Sequence, residues 1–193
     1  MIIKSFEFNK INLEKNKFFL LYGENEGFKN EVVKNKFEKE FNQNIYRYDE
    51  KEILNNDENF LSSINTRSFF DDIKLIIISR ASDKIKNLID HILEKEIDDI
   101  VIILNAGILE KKSKLRNMFE KDKKMICIPF YADNNITLGK IVGSFFKEKK
   151  ISISQQNINL LIDRSRGDRQ NLNNELNKIE NYVKNKKNVN FEE

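Results

Sequence analysis

The chain has 193 residues, 39% of them hydrophobic and 34% charged, with a formal net charge of +3. That length supports one well-packed domain with a small appendage, and fifteen Phe supply core material, which excludes wholesale disorder. The single cysteine, Cys127, excludes an internal disulfide and fits a reducing compartment.

The opening "MIIKSFEF" turns charged within four residues and does not read as a secretory signal. The apolar runs "KLIIIS" and "IVIIL" are too short to span a bilayer. A cytoplasmic protein without a membrane partner is the expectation. Along the chain, "KFFLLYG" (17–23) is a continuous apolar run ending in Gly, as expected of a strand buried on both faces. From Glu26 to Phe41 the residues Phe28, Val32, Val33, Phe37 and Phe41 fall on one face of a helix. "NIYRYD" reads as a short strand. Residues 57–65 read as a helix with Asp57 as N-cap and with Phe60, Leu61 and Ile64 inward.

"KLIIIS" is a second buried strand, and "KIKNLIDHILEK" a helix with Ile85, Leu88, Ile89, Ile92 and Leu93 inward. "DIVIIL", "KSKLRNMFEK" and "KMICIPF" then predict strand, helix and strand, with Pro129 marking the end of the last strand. This alternation predicts an α/β fold: a mostly parallel sheet with helices on its faces. Beyond it the pattern is helical only. "TLGKIVGSFFKEK" presents Ile141, Val142, Phe145 and Phe146. "SISQQNINLLIDRS" starts at a Ser cap and presents Ile158, Leu160, Leu161 and Ile162. "DRQNLNNELNKIENYVKN" presents Leu172, Leu176, Ile179 and Val183. The expected organisation is an α/β domain over 1–134 followed by a three-helix lid over 135–193. The lid carries 11 Lys and Arg against 7 Asp and Glu, a mildly basic balance compatible with nearby DNA.

A Gly-rich turn after the first buried strand is where nucleotide-binding folds cradle phosphate. Here the turn is "YGENEGFKNE". Laid on G-x-x-x-x-G-K-[ST] from Gly23, the lysine falls at Lys29. Gly27 lies inside the turn, Phe28 replaces the second glycine, and Asn30 replaces the hydroxyl that would hold Mg²⁺. No carboxylate ends a neighbouring strand: "KLIIISR" ends in Ser79 and Arg80, and "IVIILNA" in Asn105 and Ala106. The expectation is a phosphate loop that binds no nucleotide, with no cofactor, no metal and no catalytic residue. His91 is the only histidine, and it sits on an apolar-flanked helix, so His-based triads and metal sites have almost nothing to draw on.

Several blocks together carry a family resemblance: "FFLLYGENEGFKNEVVKNKF", "SFFDDIKLIIISRA", "DDIVIILNAGILEKKSKLRNMFE" and "GDRQNLNNELNKIENYV". In that order they resemble the delta subunit family of the bacterial DNA polymerase III clamp loader. The last block is the most specific, through Gly167, Asp168, Arg169, the Asn174-Glu175-Leu176 run and the Lys178-Ile179 pair. The resemblance implies an AAA+-like fold and a non-catalytic subunit of the polymerase holoenzyme. It also implies a chain that carries two of the family's three domains and lacks the collar domain.

The adjacent rings of Phe69 and Phe70, followed at once by Asp71 and Asp72, are hard to place in the core of the strand they precede. Left exposed, such a pair is unfavourable unless something covers it. The resemblance implies that Ser68, Phe69 and Phe70 form the element that grips the beta sliding clamp. Arg67 departs from the apolar residue the family often has before them. The implied action is mechanical: the chain binds the clamp and opens its ring or holds it open, while ATP is turned over by sister subunits. Implied partners are the clamp, the gamma/tau and delta-prime loader subunits, and primed DNA in the assembled complex. The alternatives are a divergent P-loop ATPase, a delta-prime-like subunit, or a DNA-binding module in which Lys140, Arg164 and Arg166 would take part.

Overall fold

Five short apolar segments pair side by side as one wholly parallel sheet. They are β1 (Phe18–Gly23), β2 (Ile45–Asp49), β3 (Lys74–Ala81), β4 (Ile100–Ala106) and β5 (Met125–Phe130), in the spatial order β2-β3-β4-β1-β5. The structure, a computed structural model, describes residues 1–5, 7, 11–41, 44–65, 73–95 and 97–185. They form two units, Met1–Glu24 with Lys29–Phe130 and Asn25–Phe28 with Tyr131–Glu193.

In the first unit the central strands are buried on both faces, which is why they read as unbroken aliphatic runs rather than alternating ones. One face gathers Leu20, Ile76, Ile78, Ile102, Leu104 and Cys127 with the apolar sides of four helices. These are α3 (Glu50–Asn55), α4 (Asp57–Asn65), α5 (Lys86–Glu94) and α6 (Lys114–Lys121). Ile53, Phe60, Ile89, Leu115 and Phe119 are among the helical members of that cluster. Phe19, of opposite parity on β1, meets the edge of Phe37 with ring centroids 4.9 Å apart.

Phe37 belongs to a helix of mixed pitch: α1 (Glu26–Val32), a π turn (Val33–Glu38) and α2 (Lys39–Phe41). Each i, i+4 step on a 3.6-residue helix overshoots a full turn by about 40°. The wide turn takes that rotation back, so Val32, Val33 and Phe37 are all buried.

One helix was not anticipated, and three sequence expectations are corrected. Residues 50–55 form α3, opened by a capping box in which Asp49 accepts from Lys51 and Glu52 reaches back to the Asp49 amide. Asn56 rather than Asp57 caps α4, since its side chain accepts from Asn59 and its carbonyl from Phe60. Pro129 lies inside β5 opposite Tyr22, tolerated because β5 is an edge strand of the sheet. Along its outer side runs the start of the chain, where Ile3 N donates to the Cys127 carbonyl at 3.0 Å and Cys127 N to that of Met1 at 2.9 Å. Leu160, expected inward, is half exposed.

The second unit contains α7 (Asn135–Lys149), α8 (Gln155–Ser165) and α9 (Arg169–Asn185) around Leu138, Val142, Phe146, Leu161, Ile162, Leu172 and Leu176. Asn134 and Ser154 cap α7 and α8 through the amides of Thr137 and Asn157. The turn into α9 uses Arg166 and Gly167 at positive φ. Asp168 then caps α9 by accepting from the amides of Gln170 and Asn171. The Gly-Asp pair of the sequence motif is therefore a helix-to-helix turn. No helix among the described residues is long and apolar enough to cross a membrane.

Candidate functional site

In an open parallel sheet the natural ligand crevice lies beyond the carboxyl ends of the strands, where the order of connections reverses. Here that point lies between β1 and β4, because the chain moves from β1 to β2 on one side and from β4 to β5 on the other. The crevice is closed by the protein itself. Gly23 N donates to the Gly107 carbonyl at 3.0 Å, tying the two strand ends together. Lys29 is fully buried, and its Nζ donates to the Gly23 carbonyl at 2.9 Å and the Ala106 carbonyl at 2.6 Å.

The turn before Lys29 is equally committed. Only Glu24 and Asn25 separate β1 from α1, so the chain has no length for a loop that wraps an anion. Asn25 caps α1, its Oδ1 accepting from Phe28 N at 3.0 Å, and Glu26 places a carboxylate in the first helical turn. Gly23 has φ +124°, and a Cβ there would lie 2.2 Å from the Phe130 carbonyl oxygen, so glycine is required for close strand packing. Asn30 is exposed on α1.

At the end of β3, where metal-dependent NTPases need a carboxylate, the chain has Arg80 in the left-handed region with φ +58°. Its guanidinium forms an ion pair with Asp49 at the end of β2. Glu50 is buried and accepts from Ser82 N at 2.7 Å and Ser82 Oγ at 2.8 Å. Asn105, at the end of β4, buries its Oδ1 without a hydrogen-bond partner among the described residues. The residues present do not fit ATP and Mg²⁺. The lysine is bound to main chain, a cation stands where the metal ligand belongs, and Glu24 and Glu26 oppose the negative charge of phosphate.

A second polar cluster lies within the other unit and was not visible in the sequence. Arg169, the first residue of α9, is bidentate to Asp133, with Nε to Oδ2 at 2.6 Å and Nη2 to Oδ1 at 2.7 Å. Asn25 Nδ2 donates to the same carboxylate at 2.8 Å and to the Tyr131 carbonyl at 3.0 Å. The guanidinium stacks on Phe28, 3.8 Å from the ring centroid. Gly27 approaches the same place: a Cβ on it would lie 2.6 Å from Gln170 N. Its glycine thus serves helix contact. Asp133 and Arg169 are 36 residues apart, and each alone looks like an ordinary surface charge.

Ser68, Phe69 and Phe70 lie outside the described residues. Among the described residues, α4 ends at Asn65 and β3 begins at Lys74, at the amino edge of the sheet. Lys74 is anchored there by its amide to the Asp99 carbonyl at 2.9 Å and by its Nζ to the Ser63 carbonyl at 3.3 Å.

Burial pushes the Cys127 thiol up to about 12, which leaves it inert at neutral pH. His91 is half exposed on α5, 4.0 Å from Glu94. Among the described residues no cluster of His, Cys, Asp and Glu is placed to hold a metal ion.

The fold is similar to that of the Bacillus subtilis DNA clamp loader delta protein. The TM-score is 0.59 at 16% identity, over 96% of this chain and 59% of that one. The Thermotoga maritima RuvB Holliday junction branch migration motor is similar with TM-score 0.57 and 12% identity, over 91% of this chain and 59% of that one. Domain III of the Thermotoga maritima replication initiation protein DnaA follows with TM-score 0.52 and 14% identity, over 97% and 85%. No protein-family model and no curated protein matches the chain. The chain has an AAA+-like α/β fold with a parallel five-stranded sheet.

Proposed function

We propose that the chain is the delta subunit of a bacterial clamp loader, a non-catalytic AAA+-like module that grips the sliding clamp and opens its ring or holds it open. The observation that carries this is the fate of Lys29. The lysine that would meet a nucleotide is instead bonded to the Gly23 and Ala106 carbonyls at the crevice of the sheet. An AAA+-like fold whose crevice is filled by its own side chain suits a part moved by others. The likeness to a clamp loader delta protein supports the same assignment.

In this scheme residues 1–134 are the α/β domain and 135–193 the lid. Ser68, Phe69 and Phe70 enter a pocket on the clamp as the gripping element. Each ring buried there contributes about 1.5–3 kcal/mol, the size of an interface anchor. The chain makes and breaks no bond. It shifts the clamp between closed and open rings only by binding the open one more tightly. Gamma/tau and delta-prime subunits supply the ATP-driven cycle, and primed DNA is met in the assembled complex. The test is capture of the cognate sliding clamp, compared with capture by a Phe69→Ala/Phe70→Ala variant.

A further inference from the structure

The buried cluster around Asp133 has the chemistry of an anion site that is already filled. A guanidinium in the first turn of a helix is opposed by the helix dipole, and burying it adds a desolvation cost. Arg169 bears both, being 6% exposed at the start of the 17-residue α9. A carboxylate is set against them: Asp133 receives two hydrogen bonds from Arg169 and one from Asn25. A forked guanidinium and a carboxamide N–H converging on one anion is how side chains hold phosphate.

We propose that Asp133 is an internal stand-in for a phosphate group. It occupies the anion position offered by Arg169 and Asn25, and so holds residues 25–28 within their unit without any nucleotide. Phe28 completes the arrangement by covering the face of the guanidinium. The close approach of Gly27 to Gln170 N leaves no gap for a ligand beside it. The inference rests on the module being independent of nucleotide, and it assigns the residue that makes it so.

The test is an Asp133→Gly variant of the full chain, which removes the carboxylate and vacates its place. Thermal unfolding is followed with and without inorganic phosphate, with an Asp133→Gly/Arg169→Gln double variant as control. The single variant should melt below the wild type and regain about 4 °C or more in saturating phosphate. The wild type and the double variant should not respond. If Asp133→Gly is unfolded without phosphate, recovery of helical circular dichroism on adding phosphate gives the same answer. Absence of any phosphate response in Asp133→Gly, or an equal response in the wild type, overturns the proposal. Clamp capture by the wild type is measured alongside: capture retained without a phosphate effect removes this inference alone. A phosphate effect without capture removes the clamp assignment alone.

Discussion

Lys29 Nζ lies 2.6 Å from the Ala106 carbonyl oxygen and 2.9 Å from that of Gly23, so one side chain joins the carboxyl ends of β4 and β1. In a phosphate-binding fold a lysine at this point serves a ligand, and its loss weakens binding. Here its removal strips a partner from two main-chain carbonyls and empties a fully buried volume. Lys29→Ala should therefore lower the unfolding free energy by about 1–3 kcal/mol in urea titration. Lys29→Met, which keeps the volume and lacks the charge, should lose less. Unchanged stability in Lys29→Ala would contradict the structural role.

Asn105 offers a test of the same edge with the opposite sign. Its buried Oδ1 has no partner among the described residues, and an unsatisfied buried oxygen costs free energy that an apolar group of similar shape does not. Asn105→Leu should leave stability unchanged or raise it by about 1 kcal/mol in the same titration. A marked loss would show that the carboxamide is needed at this position.

Acid stability reports on a third contact. Asp83 accepts from Ser113 Oγ at 2.6 Å and from Leu115 N at 3.0 Å, fastening the turn after β3 to the start of α6. These bonds, the Ser113 one foremost, hold its carboxyl below the ordinary value of 3.8. The folded chain therefore releases this proton more readily than the unfolded one. The resulting stabilisation is fully present above the unfolded value and fades as pH falls through the folded one. Asp83→Asn should melt lower than wild type at neutral pH, with the gap narrowing in acid. A gap that stays constant with pH would contradict the assignment.

Much of the sheet was legible because strands buried on both faces must be aliphatic throughout. "LIII" in β3 and "IVIIL" in β4 have no other economical use in a chain of this composition. The lid helices were legible from their 3.6-residue stripes. What escaped notice was short or paired at a distance. Helix α3 buries a single apolar residue, Ile53, so it shows no periodicity, although its Asp49–Glu52 capping box was present to be read. The departures from the phosphate-loop pattern at Phe28 and Asn30 were readable, but not the bonding of Lys29 to main-chain carbonyls. That bond depends on strand order, which places Ala106 beside Gly23. The Asp133–Arg169 pair likewise exists only after folding brings residues 36 apart together.

The two rings at positions 69 and 70 carry the central claim, and capture of the cognate sliding clamp tests it most directly. The wild-type chain should bind the clamp without added nucleotide, and Phe69→Ala/Phe70→Ala should weaken binding by about two orders of magnitude or more while melting at the wild-type temperature. Equal affinity of the two proteins for the clamp, measured by titration, would contradict it.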